Sequence, residues 1–107
     1  MMKKRFIISL NSKTPEQEQV LVEYLKSSGY GWWHWLNNTW LIVDRKGTSS
    51  ARRFRDELGR LLPGVRNVVF ELRGHDDTWA GFGPSGGEQN MFEWIKKNWK
   101  GDKPSER

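Results

Sequence analysis

Trp32-Trp33-His34-Trp35-Leu36-Asn37-Asn38-Thr39-Trp40-Leu41-Ile42-Val43 is the stretch on which the fold turns. Aromatic and β-branched residues, the composition of strands, flank an Asn-Asn pair, and Asn tolerates the positive φ of a tight two-residue turn. The spacing predicts a β-hairpin with Leu36 opposite Thr39, Trp35 opposite Trp40, His34 opposite Leu41 and Trp33 opposite Ile42. Alternation along a strand then puts Trp33, Trp35, Trp40 and Ile42 on one face and Trp32, His34, Leu36, Leu41 and Val43 on the other. Both faces are apolar and both need cover. Helices of the chain can supply one cover; a partner, a ligand or a tail must supply the other.

Upstream of the hairpin, Phe6-Ile7-Ile8-Ser9-Leu10 alternates as a strand with Phe6, Ile8 and Leu10 on one face. A helix start follows: Thr14 as N-cap, Pro15 at the first helical position and Gln17 completing a capping box. Val20, Leu21, Tyr24 and Leu25 form its apolar stripe, and Ser28-Gly29 stops it, Gly29 being able to take the left-handed conformation. Downstream, Asp44-Arg45-Lys46-Gly47 reads as a loop, and Thr48-Ser49-Ser50 offers caps for a second helix with Ala51, Phe54, Leu58 and Leu61 inward. Pro63-Gly64 closes that helix. Val65 to Leu72 is a fourth strand, with Val68, Phe70 and Leu72 expected inward.

The order β-α-β-β-α-β with right-handed crossovers predicts an α+β fold, a ferredoxin-like sandwich with both helices on one face of an antiparallel sheet. Trp79 to Phe82 reads as a short fifth edge strand, and about Glu88 to Lys100 as a last helix carrying Met91, Phe92, Ile95 and Trp99 on one side. The expected organisation is a ferredoxin-like domain over 1–84, a C-terminal helix over 85–100 packed on it or on a partner, and a flexible tail over 101–107.

A chain of 107 residues is one domain's worth of material. The absence of cysteine excludes disulfides, zinc-thiolate sites and thiol nucleophiles, and it fits a reducing cytoplasm. The apolar run after Met1-Met2-Lys3-Lys4-Arg5 is too short for a signal peptide, and no stretch is long enough to span a membrane.

The net charge of +5 is unevenly placed. Residues 45–66 hold Arg45, Lys46, Arg52, Arg53, Arg55, Arg60 and Arg66 against only Asp56 and Glu57, whereas the remainder is close to neutral. Six of those seven cations are arginine, whose planar fork suits phosphate oxygens. A solvated helix face is the plain alternative.

Trp32, Trp35, Trp40 and Trp79, with His34, are candidates for a stacking platform or an interface, against the simpler role of core filler. His75-Asp76-Asp77 has metal-ligand chemistry, but consecutive residues rarely reach one ion. Ser9, Ser49, Ser50 and Ser85 stand in no nucleophile motif, and Gly83-Pro84-Ser85-Gly86-Gly87 lacks the Lys-Ser/Thr of a phosphate-binding loop.

Lys26-Ser27-Ser28-Gly29 leading into Trp32-Trp33-His34, then Thr39-Trp40-Leu41-Ile42-Val43, the basic second helix and Trp79-Ala80-Gly81-Phe82, resembles small proteins labelled SinR-like. These are similar to the small ferredoxin-like subunit of CRISPR adaptation and to VapD-type toxins. The resemblance runs from about Arg5 to Phe82. It implies a homodimer in which two sheets meet, association with nucleic acid and, in some relatives, metal-dependent nuclease activity. Nuclease-competent relatives carry an Asp after the first strand's apolar run, where this chain has Ser9, a poor Mg²⁺ ligand.

The leading expectation is a non-enzymatic, homodimeric protein that binds DNA or RNA backbones through Arg45, Lys46, Arg52, Arg53, Arg55 and Arg60, with no cofactor. The enzymatic alternative is a nuclease requiring Mg²⁺ and using Asp76 or Asp77, with Ser9 at the lost ligand position. A third is a protein-binding factor in toxin–antitoxin or phage–host conflict.

Overall fold

Phe6, Ile8 and Leu10 lie on one face of β1 (Lys4–Leu10) and are all buried, so the first strand already marks the inner side of the sheet. The structure is a computed structural model that describes residues 3–74, 79–81, 83 and 91–99. The elements that follow are α1 (Pro15–Ser28), β2 (Gly31–Leu36), β3 (Thr39–Asp44), α2 (Ala51–Leu61), β4 (Asn67–Leu72) and α3 (Glu93–Asn98). The four strands form an antiparallel sheet in the order β2-β3-β1-β4. With a βαββαβ order before α3, this topology is compatible with a ferredoxin-like arrangement.

Helix α1 starts as its residue types dictate. The Thr14 hydroxyl accepts from the Gln17 backbone N–H, and the Gln17 side chain accepts from the Thr14 N–H in return. Gly29, at φ 79°, ends the helix. Leu21 and Leu25 of α1 and Phe54 and Leu58 of α2 meet Phe6, Ile8, Trp40 and Ile42 in the principal core. Phe6 and Phe54 pack edge to face at 4.8 Å. Burying each such side chain contributes about 1.5–3 kcal/mol before chain entropy is charged against it. Val20 departs from the predicted stripe and is largely exposed.

The hairpin forms, but not in the simple register. Leu36 opposes Thr39 as predicted, whereas Trp33 opposes Leu41 and Trp32 opposes Ile42. One extra residue sits in β2 between Trp33 and Leu36. The physical reason lies in the turn: no non-glycine described residue has a positive φ, so Asn37 and Asn38 do not take the mirror-image turn that a tight hairpin prefers. A bulge absorbs the mismatch. Its consequence is a swap of faces, because a one-residue slip inverts every side chain beyond it. Trp33 joins Val43 and Leu41 on the outer face, while Trp32 packs with the helix-side core.

β4 is also inverted relative to expectation. Val69 packs inward, and Val68 and Phe70 point to the outer face, where Phe70 is 57 % exposed. The expected parity is therefore wrong: three apolar residues in a row fit either face, and the pairing of Ile7 with Phe70 and of Ile8 with Val69 turns Val69 toward the helices.

α3 is shorter than predicted, and residues 88–90 and 100 of the expected helix lie outside the described ones. Met91, Ile95 and Trp99 bury against Trp33 and Val43 on the outer face of the sheet. The fifth strand is not formed at Trp79–Gly81, and Phe82 lies outside the described residues. This segment packs against the turn before α3: Trp79 and Phe92 rings lie 5.6 Å apart, and a Cβ on Gly81 would come within 2.6 Å of the Phe92 ring. Among the described residues, no helix is long and apolar enough to cross a membrane.

Candidate polyanion-binding surface

Asp44, at the end of β3, organises the loop that carries the cations. Its carboxylate is buried and accepts from three backbone N–H groups: Lys46 at 3.2 Å, Gly47 at 3.1 Å and Ser49 at 2.8 Å. Gly47 takes φ 70°, which lets the chain turn back toward α2. The loop therefore has a fixed shape with Arg45 and Lys46 exposed. Ser50 then caps α2, its hydroxyl accepting from the Arg53 N–H at 3.1 Å.

The first turn of α2 contains no acidic residue; Arg52 and Arg53 stand there instead, both exposed. A helix start carries roughly half a positive elementary charge, so cations there cost about 0.3–1 kcal/mol each. Neither side chain has a partner among the described residues. Farther along α2 the arginines are balanced. Arg55 pairs with Asp56 at 2.8 Å and Arg60 with Glu57 at 2.6 Å. The predicted patch is thus graded, free at the helix start and largely self-neutralised at its end.

The fold adds cations that sequence proximity does not show. β1 begins where β3 ends, Lys4 pairing with Asp44 across the sheet, and the Lys4 ammonium reaches the Ser49 carbonyl at 2.8 Å beside the start of α2. The C-terminal end of α3 arrives at the same edge. Lys3 donates to the Asn98 carbonyl at 3.2 Å, and Arg45 to the Asn98 side-chain oxygen at 2.8 Å. Arg45 lies close over Gly31, whose missing Cβ leaves room for the guanidinium. Lys3, Lys4, Arg45, Lys46, Arg52 and Arg53 therefore lie at the same end of the sheet, Lys3 and Arg45 toward α3 and Arg52 and Arg53 on α2. The one sequence signal for the first two was the N-terminal basic run, which nothing in the sequence connects to residue 45.

The remaining candidates are dispersed. Trp40 is fully buried, with His34 stacked on it at 3.6 Å and 6° and the Lys13 ammonium 5.6 Å from its ring. One His34 nitrogen faces the Thr39 carbonyl at 3.0 Å and the other the Glu18 carboxylate at 3.6 Å. Trp32 is half-buried under the helices, whereas Trp35 at the bulge and Trp79 beside Phe92 are exposed. Ser9 points to the outer face, 3.4 Å from the Thr39 hydroxyl. Asp76 and Asp77 lie outside the described residues. No group of three or more potential metal ligands occurs among the described residues.

Glu18 has a pKa below the ordinary carboxylate value, first because Lys13 donates to it at 3.2 Å and then because His34 stands nearby, with burial opposing. A lowered folded-state pKa gives stability that is present above the unfolded value of 4.5 and is lost as pH falls through the folded one. Urea unfolding should show wild type losing more stability than Glu18→Gln between neutral pH and about pH 3. Equal losses would contradict this assignment.

A second surface feature is an apolar groove of about 580 Å³ on the outer face, between the sheet and α3. Trp33, Leu41, Leu72, Trp79, Phe92 and Trp99 are among its walls. Compared with known families, curated proteins and solved structures, the chain matches none.

Proposed function

We propose that this protein binds the phosphate backbone of nucleic acid at the sheet end built by Lys3, Lys4, Arg45, Lys46, Arg52 and Arg53. The carrying observation is the start of α2, where two arginines sit on the positive end of a helix dipole with no acidic residue in the turn. That placement lowers helix stability and raises the local positive potential, and a bound anion reverses both effects. These six contacts are all cationic side chains, which position a backbone and carry little sequence preference. Nucleic-acid association in a ferredoxin-like scaffold is also what the resemblance to SinR-like proteins implies, Ser9 at the metal-ligand position arguing against the nuclease activity of some relatives, and a reducing cytoplasmic setting fits the lack of cysteine.

Fluorescence anisotropy with a labelled duplex across a salt series tests the reading. Affinity should fall steeply and log-linearly with salt and differ little between unrelated sequences. Binding that ignores salt would overturn it.

A second reading, protein docking or self-association on the outer face, is favoured by one observation. α3 leaves Val68, Phe70 and Leu36 exposed there, and large apolar groups gathered on a sheet face mark interaction surfaces. If two copies meet through this face as a homodimer, Phe70→Glu should shift sedimentation from dimer to monomer with the melting temperature nearly unchanged. A wild-type chain that sediments as a monomer at high concentration would dismiss self-association and leave the first reading intact.

A further inference from the structure

Two cations of the proposed surface also hold α3 in place. The Lys3 ammonium bonds the Asn98 carbonyl, and the exposed Arg45 guanidinium bonds the Asn98 side-chain oxygen. Asn98 is tied in turn to its own helix, its amide donating to the Trp94 carbonyl at 2.9 Å. Deeper in, Arg5, only 2 % exposed, donates to the Trp99 carbonyl at 2.9 Å and lies against the Trp99 ring. All three cations sit at the negative end of the α3 dipole, where carbonyls lack helical partners. Six residues of helix cannot hold themselves together in water, so α3 depends on these bonds and on its buried face.

We infer that a bound polyanion and the C-terminal end of α3 compete for Lys3 and Arg45, so that binding at the sheet end loosens α3 from the outer face. This rests on the proposed function above. An amide or carbonyl oxygen is a neutral acceptor, whereas a phosphate oxygen carries charge and adds Coulomb attraction to its bond with a cation. A phosphate backbone held at Lys46, Arg52 and Arg53, at the same end of the sheet, would offer Arg45 and Lys3 a charged acceptor in place of Asn98. Arg5 is buried and keeps its bond, so the helix frays at this end rather than leaving. What frays over the sheet is the cover of Trp33 and Val43, next to the groove and the exposed Phe70. The coupling is reciprocal: tightening α3 weakens binding by the same factor.

Amide hydrogen exchange on the full chain, with and without a thymidine 20-mer at low salt, reads the coupling at residues 93–99. In wild type the oligonucleotide should speed exchange at Lys96 to Trp99 by about five-fold or more. Asn98→Asp supplies a carboxylate to Arg45, whose partner is the Asn98 side-chain oxygen, so it should abolish that acceleration and bind several-fold more weakly than Asn37→Asp. The latter carries the same charge change at the opposite end of the sheet. Asn98→Ala should exchange faster without ligand and bind at least as tightly as wild type. Oligonucleotide binding with unchanged or slower exchange at α3 overturns the inference and leaves the function standing. Absence of binding by wild type overturns both, whereas unchanged exchange in unliganded Asn98→Ala overturns the clamp by itself.

Discussion

Replacing Arg52 and Arg53 together by alanine should weaken duplex binding by about an order of magnitude at low salt and make the salt slope shallower by about two. Both effects follow from position rather than from the number of charges removed. These two side chains stand at a helix start with no carboxylate in the same turn, so each guanidinium is available to a phosphate. Replacing Arg55 and Arg60 removes the same formal charge, but those groups already hold Asp56 and Glu57. That second double variant should change the slope by well under half as much. The helix itself should not suffer, because alanine is a better helix former than arginine and removes a cation from the positive dipole end. A thermal melt of Arg52→Ala, Arg53→Ala should therefore match or exceed wild type. Equal slopes for the two double variants would show that the protein reads net charge and not this surface.

Arg5→Met should cost about 3 kcal/mol of stability, enough to lower the melting temperature by more than about 10 °C. Arg5 stands on β1 among strand residues yet is nearly inaccessible. Its guanidinium joins three parts of the chain: the carbonyl of Leu72 at the end of β4, that of Gly74 beyond it, and that of Trp99 at the end of α3. Methionine fills the volume but leaves the buried Trp99 carbonyl, and the part-buried ones of Leu72 and Gly74, without their donor, and an unmet buried acceptor costs more than a bond contributes. Arg5→Lys, which keeps the charge and loses the fork, should fall between the two. Chemical unfolding read by tryptophan fluorescence measures all three chains; an Arg5→Met loss below about 0.5 kcal/mol would mean that the C-terminal segment is not held by this residue.

Local chemistry was readable wherever neighbours in sequence set it. Thr14-Pro15-Glu16-Gln17 writes a helix start, Gly29 a helix end, and Phe6-Ile8-Leu10 one strand face, because caps and alternation involve residues a few positions apart. The hairpin's existence was equally plain. Its register was not, since a bulge depends on the φ that Asn37 and Asn38 adopt, and their identity permits either sign. In β4 the run Val68-Val69-Phe70 is apolar at both parities, and only pairing with β1 shows that Val69 faces the helices. Arg5 illustrates the same limit. An arginine opening a strand reads as an exposed cation, and its burial is decided by α3, which arrives from the far end of the chain.

The candidate surface divides along the same line. Arg45, Lys46, Arg52 and Arg53 are adjacent in sequence and were found by charge density. Arg55 and Arg60 belonged to the same cluster, and their ion pairs appear only once side chains are placed. Lys3 and Lys4 joined through strand order, because β1 begins beside the end of β3.

Backbone amide NMR shifts, recorded while an oligonucleotide duplex is titrated into the full chain, locate the contact directly. Shifts should concentrate at residues 3–4, 45–53 and 96–99 and collapse as salt is raised. Shifts confined to Trp35, Leu36, Val68 and Phe70 on the outer face, or spread evenly over every lysine and arginine, would contradict a polyanion surface at the sheet end.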